Sequence, residues 1–83
     1  MVGLARSIAV DFGAVGVTAN AVAPGWIATA SQTEHEAAQG HGVPVGRSAT
    51  AGEVASAVAW LCTPGAAYVT GQTLHVNGGM AMP

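Results

Sequence analysis

Apolar residues recur at Met1, Leu4, Ala5, Ile8 and Phe12, the spacing of one helix face, and Gly13 and Gly16 follow as natural stop residues. The pattern predicts an amino-terminal helix packed on one side. Between Gly16 and Pro24 the period changes: Val17 to Ala23 is a short run of small and β-branched residues, which suits a strand covered on both faces. The stretch from Ala30 to Arg47 keeps neither period. Ser31-Gln-Thr-Glu34 and Thr33-Glu-His-Glu36 both match the reciprocal capping pattern, so a short helix can start at either and end near Gly40. Gly40, Gly42, Pro44 and Gly46 then impose a loop. A third capping pattern, Thr50-Ala-Gly-Glu53, opens a helix with Val54, Ala55, Val58, Leu61 and Cys62 on one face until Pro64 stops it. Gln72 to Asn77 follows as a second strand.

The expected order is therefore helix, strand, irregular lid, helix, strand. A strand, a crossover helix and a second strand form a right-handed βαβ unit with parallel strands. The expected class is α/β. A parallel pair needs helices on both faces and further strands beside it, so the stretch reads as the carboxy-terminal portion of a larger doubly wound sheet.

Composition narrows this. Eighty-three residues, 51% of them apolar, can build at most one small domain with a modest core. Only 7% are charged, against about 25% in typical domains, so some faces are expected to be covered by other surfaces. The formal charge of −2 sets Asp11, Glu34, Glu36 and Glu53 against Arg6 and Arg47, with no lysine, which argues against a nucleic-acid partner. Glycine and proline interrupt the uncharged stretches, so neither reads as a membrane span. Arg6 and Asp11 fall where a secretory leader would be apolar, which points to the cytoplasm. The lone Cys62 is expected to be a buried structural thiol.

Candidate chemistry is sparse. "GHGVPVG" is spaced GxGxxxG and interrupted by Pro44, and it does not join a strand to a helix as a phosphate cradle requires. "HEAAQGH" puts Gly40 between His35 and His41 and lacks histidines four apart, so no metal site is expected. His75 alternates with Thr73 and Asn77 and suits a polar strand face. "NAVAPGWIAT", Asn20 to Thr29, is more informative: a strand that stops at Pro24-Gly25 and is followed by an aromatic, an aliphatic and a hydroxyl residue. Read by itself, it is a strand-ending turn with Thr29 available as a helix cap.

Together with "VGRSATAGEVASAVAWL" and "AAYVTGQTLHVNGG", that stretch resembles the carboxy-terminal part of the short-chain dehydrogenase/reductase family. The ending "GQTLHVNGGMAM" is similar to that family's 3-oxoacyl-carrier-protein reductase group. The resemblance implies a partial NAD(P)-binding Rossmann-like domain over residues 1–83, with NAD or NADP as cofactor, a small-molecule carbonyl substrate, and a homo-oligomer or association with a related subunit. It gives Pro24 and Gly25 the shaping of a turn over the nicotinamide, the Ile27 backbone the pairing of the carboxamide, and the Thr29 hydroxyl a bond to carboxamide or pyrophosphate, with Trp26 on the substrate side. It assigns no catalytic residue to this stretch. The family's Tyr-x-x-x-Lys pair cannot be formed, since Tyr68 is followed at the fourth position by Gln72 and lysine is absent. By resemblance that pair falls just upstream of Met1 and the phosphate loop further upstream.

The sequence departs from the family pattern at Ala51-Gly52, where a helix-opening proline is usual, and at Val10, where carrier-protein reductases often have a basic residue. The stretch is expected to be inactive by itself. Two other readings are a non-catalytic assembly or cofactor-capping module that joins full-length relatives, and a free-standing α/β domain with an unrelated binding role.

Overall fold

The computed structural model describes residues 1–30 and 32–82. These gather into two compact units, one formed by Met1–Val22 with Ala57–Leu74, the other by Ala23–Ser56 with His75–Pro83. The expected capping pattern that begins at Ser31 lies outside the described residues.

The first unit opens with α1, Val2–Phe12. Gly13 does not end it: at φ −57° the residue stays right-handed, the chain tightens into a 3₁₀ turn over Gly13–Val15, and Gly16 at φ +84° supplies the left-handed stop. The covered stripe is Ala5, Ile8 and Ala9, at i, i+3 and i+4. A Cβ on Gly71 would sit 3.5 Å from the Ala9 Cβ, so the loop before the last strand runs close over this stripe. Leu4 and Phe12, expected on the packed face, lie off it and are 59% and 49% exposed.

The expected strand from Val17 begins only at Ala21; β1 spans Ala21–Pro24. Side chains explain the delay. Ala19 N–H donates to Thr70 Oγ1 at 3.0 Å, the Asn20 side-chain amide donates to Val69 C=O at 2.9 Å, and Asn20 Oδ1 accepts from Gln72 N–H at 3.0 Å. Backbone pairing runs alongside them, with Gly71 N–H donating to Ala19 C=O at 2.7 Å, and from Ala21 N–H to Gln72 C=O, at 2.9 Å, it continues without them. The unit also holds the last turns of α3 (Ala51–Leu61) and a 3₁₀ turn over Pro64–Ala66, in which Ala66 is 1% exposed. On α3 the partly covered positions are Val54, Ala57 and Leu61, whereas Val58 and Cys62 are exposed. Cys62 is thus not the buried thiol its apolar surroundings in sequence suggested.

The last strand, β4, spans Thr73–Val76 and pairs with β1. Its bonds advance together along both strands, from Ala21 with Gln72 to Gly25 with Val76, so the pair is parallel as expected. The second unit holds the Gly25–Val76 bond and a smaller parallel pair, β2 (Ile27–Ala28) with β3 (Ala49–Thr50), in the register Ile27 to Ala49 and Ala28 to Thr50. Strands of this length leave no period in a sequence, so this pair was not anticipated. Between them runs α2, Glu34–His41, capped by Thr33, whose Oγ1 accepts from Glu36 N–H at 3.1 Å. The Thr33 side chain thus makes its half of the expected capping pattern. No helix among the described residues is long and apolar enough to cross a membrane.

Candidate functional site

The turn that leaves β1 lies wholly within the second unit. Pro24 is the exposed last residue of the strand, and Gly25 N–H donates to Val76 C=O at 3.0 Å. A Cβ on Gly25 would lie 3.0 Å from both Cα and Cβ of Asn77. Gly25 is absent from the positive-φ glycines, so the need for glycine here is close approach of the end of β4 and not backbone handedness.

After Gly25 the chain enters β2. Ala49 N–H donates to Trp26 C=O at 2.8 Å, and Ala49 is the register partner of Ile27. In a parallel ladder a residue flanked in this way directs its own amide and carbonyl to the opposite edge of its strand. The Ile27 backbone therefore points away from β3. On that side its carbonyl accepts from the Gln32 side-chain amide at 3.4 Å, and the same nitrogen donates to Ser48 Oγ at 3.1 Å. Thr29, two residues on, is exposed, and its carbonyl accepts from Gln32 N–H at 3.0 Å.

A second group of residues fixes the floor. Arg47 meets Glu53 through two parallel bonds of 2.6 and 2.9 Å. Glu53 also accepts from Thr50 N–H at 2.9 Å, while Thr50 Oγ1 accepts from Glu53 N–H at 3.1 Å, the reciprocal cap expected at the start of α3. The bond from Arg47 and then that from the Thr50 backbone hold the Glu53 carboxyl at about 2, and the same pairing raises Arg47. Above this floor is a cleft of about 110 Å³ bordered by Trp26, Val43, Val45, Arg47 and Asn77. Asn77 fastens the turn after β4: its Oδ1 accepts from Gly79 N–H at 3.0 Å and its amide donates to Ala81 C=O at 3.1 Å. Val45 N–H reaches Gly78 C=O at 3.0 Å.

Of the four residues singled out in the sequence, Pro24, Gly25, Ile27 and Thr29 all lie in or beside this turn. What they present is a backbone donor and acceptor with a hydroxyl residue nearby, an arrangement that can recognise an amide-bearing ligand. Among the described residues, no group of His, Cys, Asp and Glu could hold a metal ion. Gln32, Ser48 and Asn77 were not singled out beforehand. In the sequence Gln32 stands only inside a capping pattern and Asn77 only at the end of the last strand; the Gln32–Ser48 contact has no local mark, whereas the Asn77 bond to Gly79, two residues on, is a local turn contact.

A family model described as enoyl-(acyl carrier protein) reductase matches residues 1–81. The chain is 48% identical over 86 aligned residues to the 3-oxoacyl-(acyl-carrier-protein) reductase FabG of Vibrio harveyi, covering 99% of this chain and 35% of that protein. It is 46% identical to Nodulation protein G of Rhizobium meliloti, with the same coverage. Among solved structures, a double variant of a Serratia marcescens short-chain dehydrogenase/reductase superposes with a TM-score of 0.88 at 33% identity, over 98% of this chain and 34% of that one. The acetoin dehydrogenase YohF of Salmonella typhimurium superposes with a TM-score of 0.79 at 42% identity, over 94% and 30%. The chain thus spans about a third of the length of the relatives it matches.

Proposed function

This chain belongs to the short-chain dehydrogenase/reductase family, of Rossmann-like α/β fold, and on that premise we propose that it is the carboxy-terminal segment of an NAD(P)-dependent oxidoreductase and supplies the turn that holds the nicotinamide end of the cofactor. The observation that carries the reading is the direction of the Ile27 backbone. Its amide and carbonyl face away from β3, and one donor beside one acceptor complements a carboxamide. The turn also lies beyond the carboxyl end of a parallel strand, where ligands of such sheets sit.

Within this proposal, Pro24 and Gly25 bring the backbone toward the ring, Ile27 orients the carboxamide and so selects the face of the ring, and the Thr29 hydroxyl adds a bond to the carboxamide or pyrophosphate. The bound cofactor supplies the hydride for a carbonyl group, or takes it from an alcohol. No lysine is available to lower a tyrosine pKa, and Tyr68 is fully exposed on the loop after α3. Proton transfer therefore falls to residues outside this stretch, and the 83 residues by themselves are expected to be inactive. The identity to FabG of Vibrio harveyi makes a 3-oxoacyl thioester the substrate to try first, in a cytoplasmic, oligomeric enzyme.

The test joins the chain to the amino-terminal portion of a relative carrying the phosphate loop and the Tyr-x-x-x-Lys pair. Reduction of acetoacetyl thioesters with NADH or NADPH is the expected result, and a folded fusion that binds neither cofactor overturns the reading. A second reading, a non-catalytic module that joins full-length relatives, draws support from the exposed Leu4, Val10 and Phe12 of α1. Co-purification with such a relative, without effect on its cofactor binding, would favour it.

A further inference from the structure

Gln32 carries a primary amide, the same chemical group that nicotinamide would bring to Ile27. Its nitrogen holds two hydrogens and donates to two oxygens: Ser48 Oγ at 3.1 Å, within the ordinary range, and Ile27 C=O at 3.4 Å, beyond it. Both ends of this bridge are held. The Gln32 backbone is tied to Thr29 C=O at 3.0 Å. Ser48 is pressed against buried Gly40 of α2, where a Cβ would meet the Ser48 nitrogen at 3.0 Å and its Cβ at 3.1 Å.

We propose that Gln32 is a placeholder for the nicotinamide carboxamide: it covers the Ile27 carbonyl when the turn is empty and yields it when a ligand amide arrives, pivoting on Ser48. The proposal rests on the reading of Ile27 as the carboxamide partner. The unequal bonds make the exchange inexpensive, because the long bond is surrendered while the short one is kept. It also links the stretch leading into α2 to occupancy of the turn, since Gln32 immediately precedes the Thr33 cap.

Ligand-observed saturation-transfer NMR tests this directly, with free nicotinamide titrated onto the 83-residue chain and nicotinate, which has no amide hydrogens, as the control. Gln32→Ala removes the side chain, and Gln32→Met keeps its length while removing the donor, so a loop disturbed by truncation is recognised. Both variants are expected to bind nicotinamide about two- to fivefold more tightly, or about 0.4–1 kcal/mol at 1.4 kcal/mol per decade, with nicotinate unchanged. Equal nicotinamide affinity in all three proteins, with nicotinate weaker throughout, overturns the placeholder and leaves the Ile27 reading standing. Weaker nicotinamide binding in both variants overturns it as well, by making Gln32 a ligand contact. Nicotinamide and nicotinate indistinguishable on every protein would remove the Ile27 reading and the placeholder together.

Discussion

The unit formed by Met1–Val22 with Ala57–Leu74 and the unit formed by Ala23–Ser56 with His75–Pro83 hold their shape by different means. In the first, the backbone is mostly regular, yet Leu4, Val10, Phe12 and Trp60 remain about half exposed or more. In the second, the helix α2 is short and the strands β2 and β3 shorter, but Thr33, Glu53, Asn77 and Gln32 satisfy backbone groups with their side chains. Glycines there also leave no room for a side chain: a Cβ on Gly25 would lie 3.0 Å from Asn77 Cα, and one on Gly40 3.0 Å from the Ser48 nitrogen. Both units leave apolar side chains exposed, Val45, Met80 and Met82 in the second among them, but the second depends in addition on fit at a few contacts. Substitutions in the first should change association, and those in the second should change folding and ligand binding.

The largest effect expected from this contrast comes from Gly25→Val. Its Cβ would enter the space held by Asn77, and β-branching leaves few ways to turn aside. Overpacking of this kind costs roughly 1–3 kcal/mol, and each kcal/mol lowers Tm by about 4–8 °C in a domain this small. Urea and thermal unfolding measure it. An unchanged Tm would mean that the second unit is not limited by fit, and the contrast would fail.

The first unit offers the opposite test. Replacing Leu4 and Phe12 together by Gln removes two partly exposed apolar side chains from α1. Complete burial of such a side chain contributes roughly 1.5–3 kcal/mol, so about half of that for each is at stake wherever another surface covers them. The mean mass by light scattering is expected to fall while the helical signal persists. If the helical signal is lost and the mass is unchanged, these residues hold the unit together internally.

The same contrast explains what could be read in advance. Ala5, Ile8 and Ala9 repeat at helical spacing, and Thr33 and Thr50 stand three residues before Glu36 and Glu53, so both helix positions and caps were legible from local chemistry. The Pro24-Gly25 turn was legible for the same reason. The delayed start of β1 was not, because it depends on Ala19 meeting Thr70 and Asn20 meeting Val69, 51 and 49 positions apart in the sequence, pairings that no local pattern encodes. Likewise the close approach of Gly25 to Asn77, distant in sequence, has no local mark. The identity of a turn is local, while the reason for its shape is not.

A smaller effect is expected at Thr29, in the chain joined to a complete upstream portion. Thr29→Val keeps the β-branched shape and removes the hydroxyl. One neutral hydrogen bond contributes roughly 0.5–1.5 kcal/mol, so cofactor affinity should weaken about two- to twelvefold, as read by fluorescence titration with NADPH and NADH. Unchanged affinity with a lowered Tm would make Thr29 a residue that shapes the turn without touching the cofactor.

The smallest effect tests whether charge, as distinct from fit, matters in the second unit. The folded state holds the Glu53 carboxyl at about 2, against an ordinary 4.5. A depressed acid contributes stability that is present in full above 4.5 and is lost as pH falls from there toward 2. Arg47 remains charged throughout, so the change belongs to Glu53 alone. Both side chains are about half exposed, at 54% and 45%, and solvent weakens such a pair, so the Tm difference between the chain and Glu53→Gln should not exceed about 2 °C at pH 7. Glutamine can still accept from Thr50 N–H but cannot form the paired bonds to Arg47. The difference should therefore vanish by about pH 2 and shrink in 1 M salt if the ion pair is its source. A difference that persists at pH 2 would assign the role of Glu53 to the shape of the cap, and fit would then govern the second unit even at the Arg47–Glu53 pair.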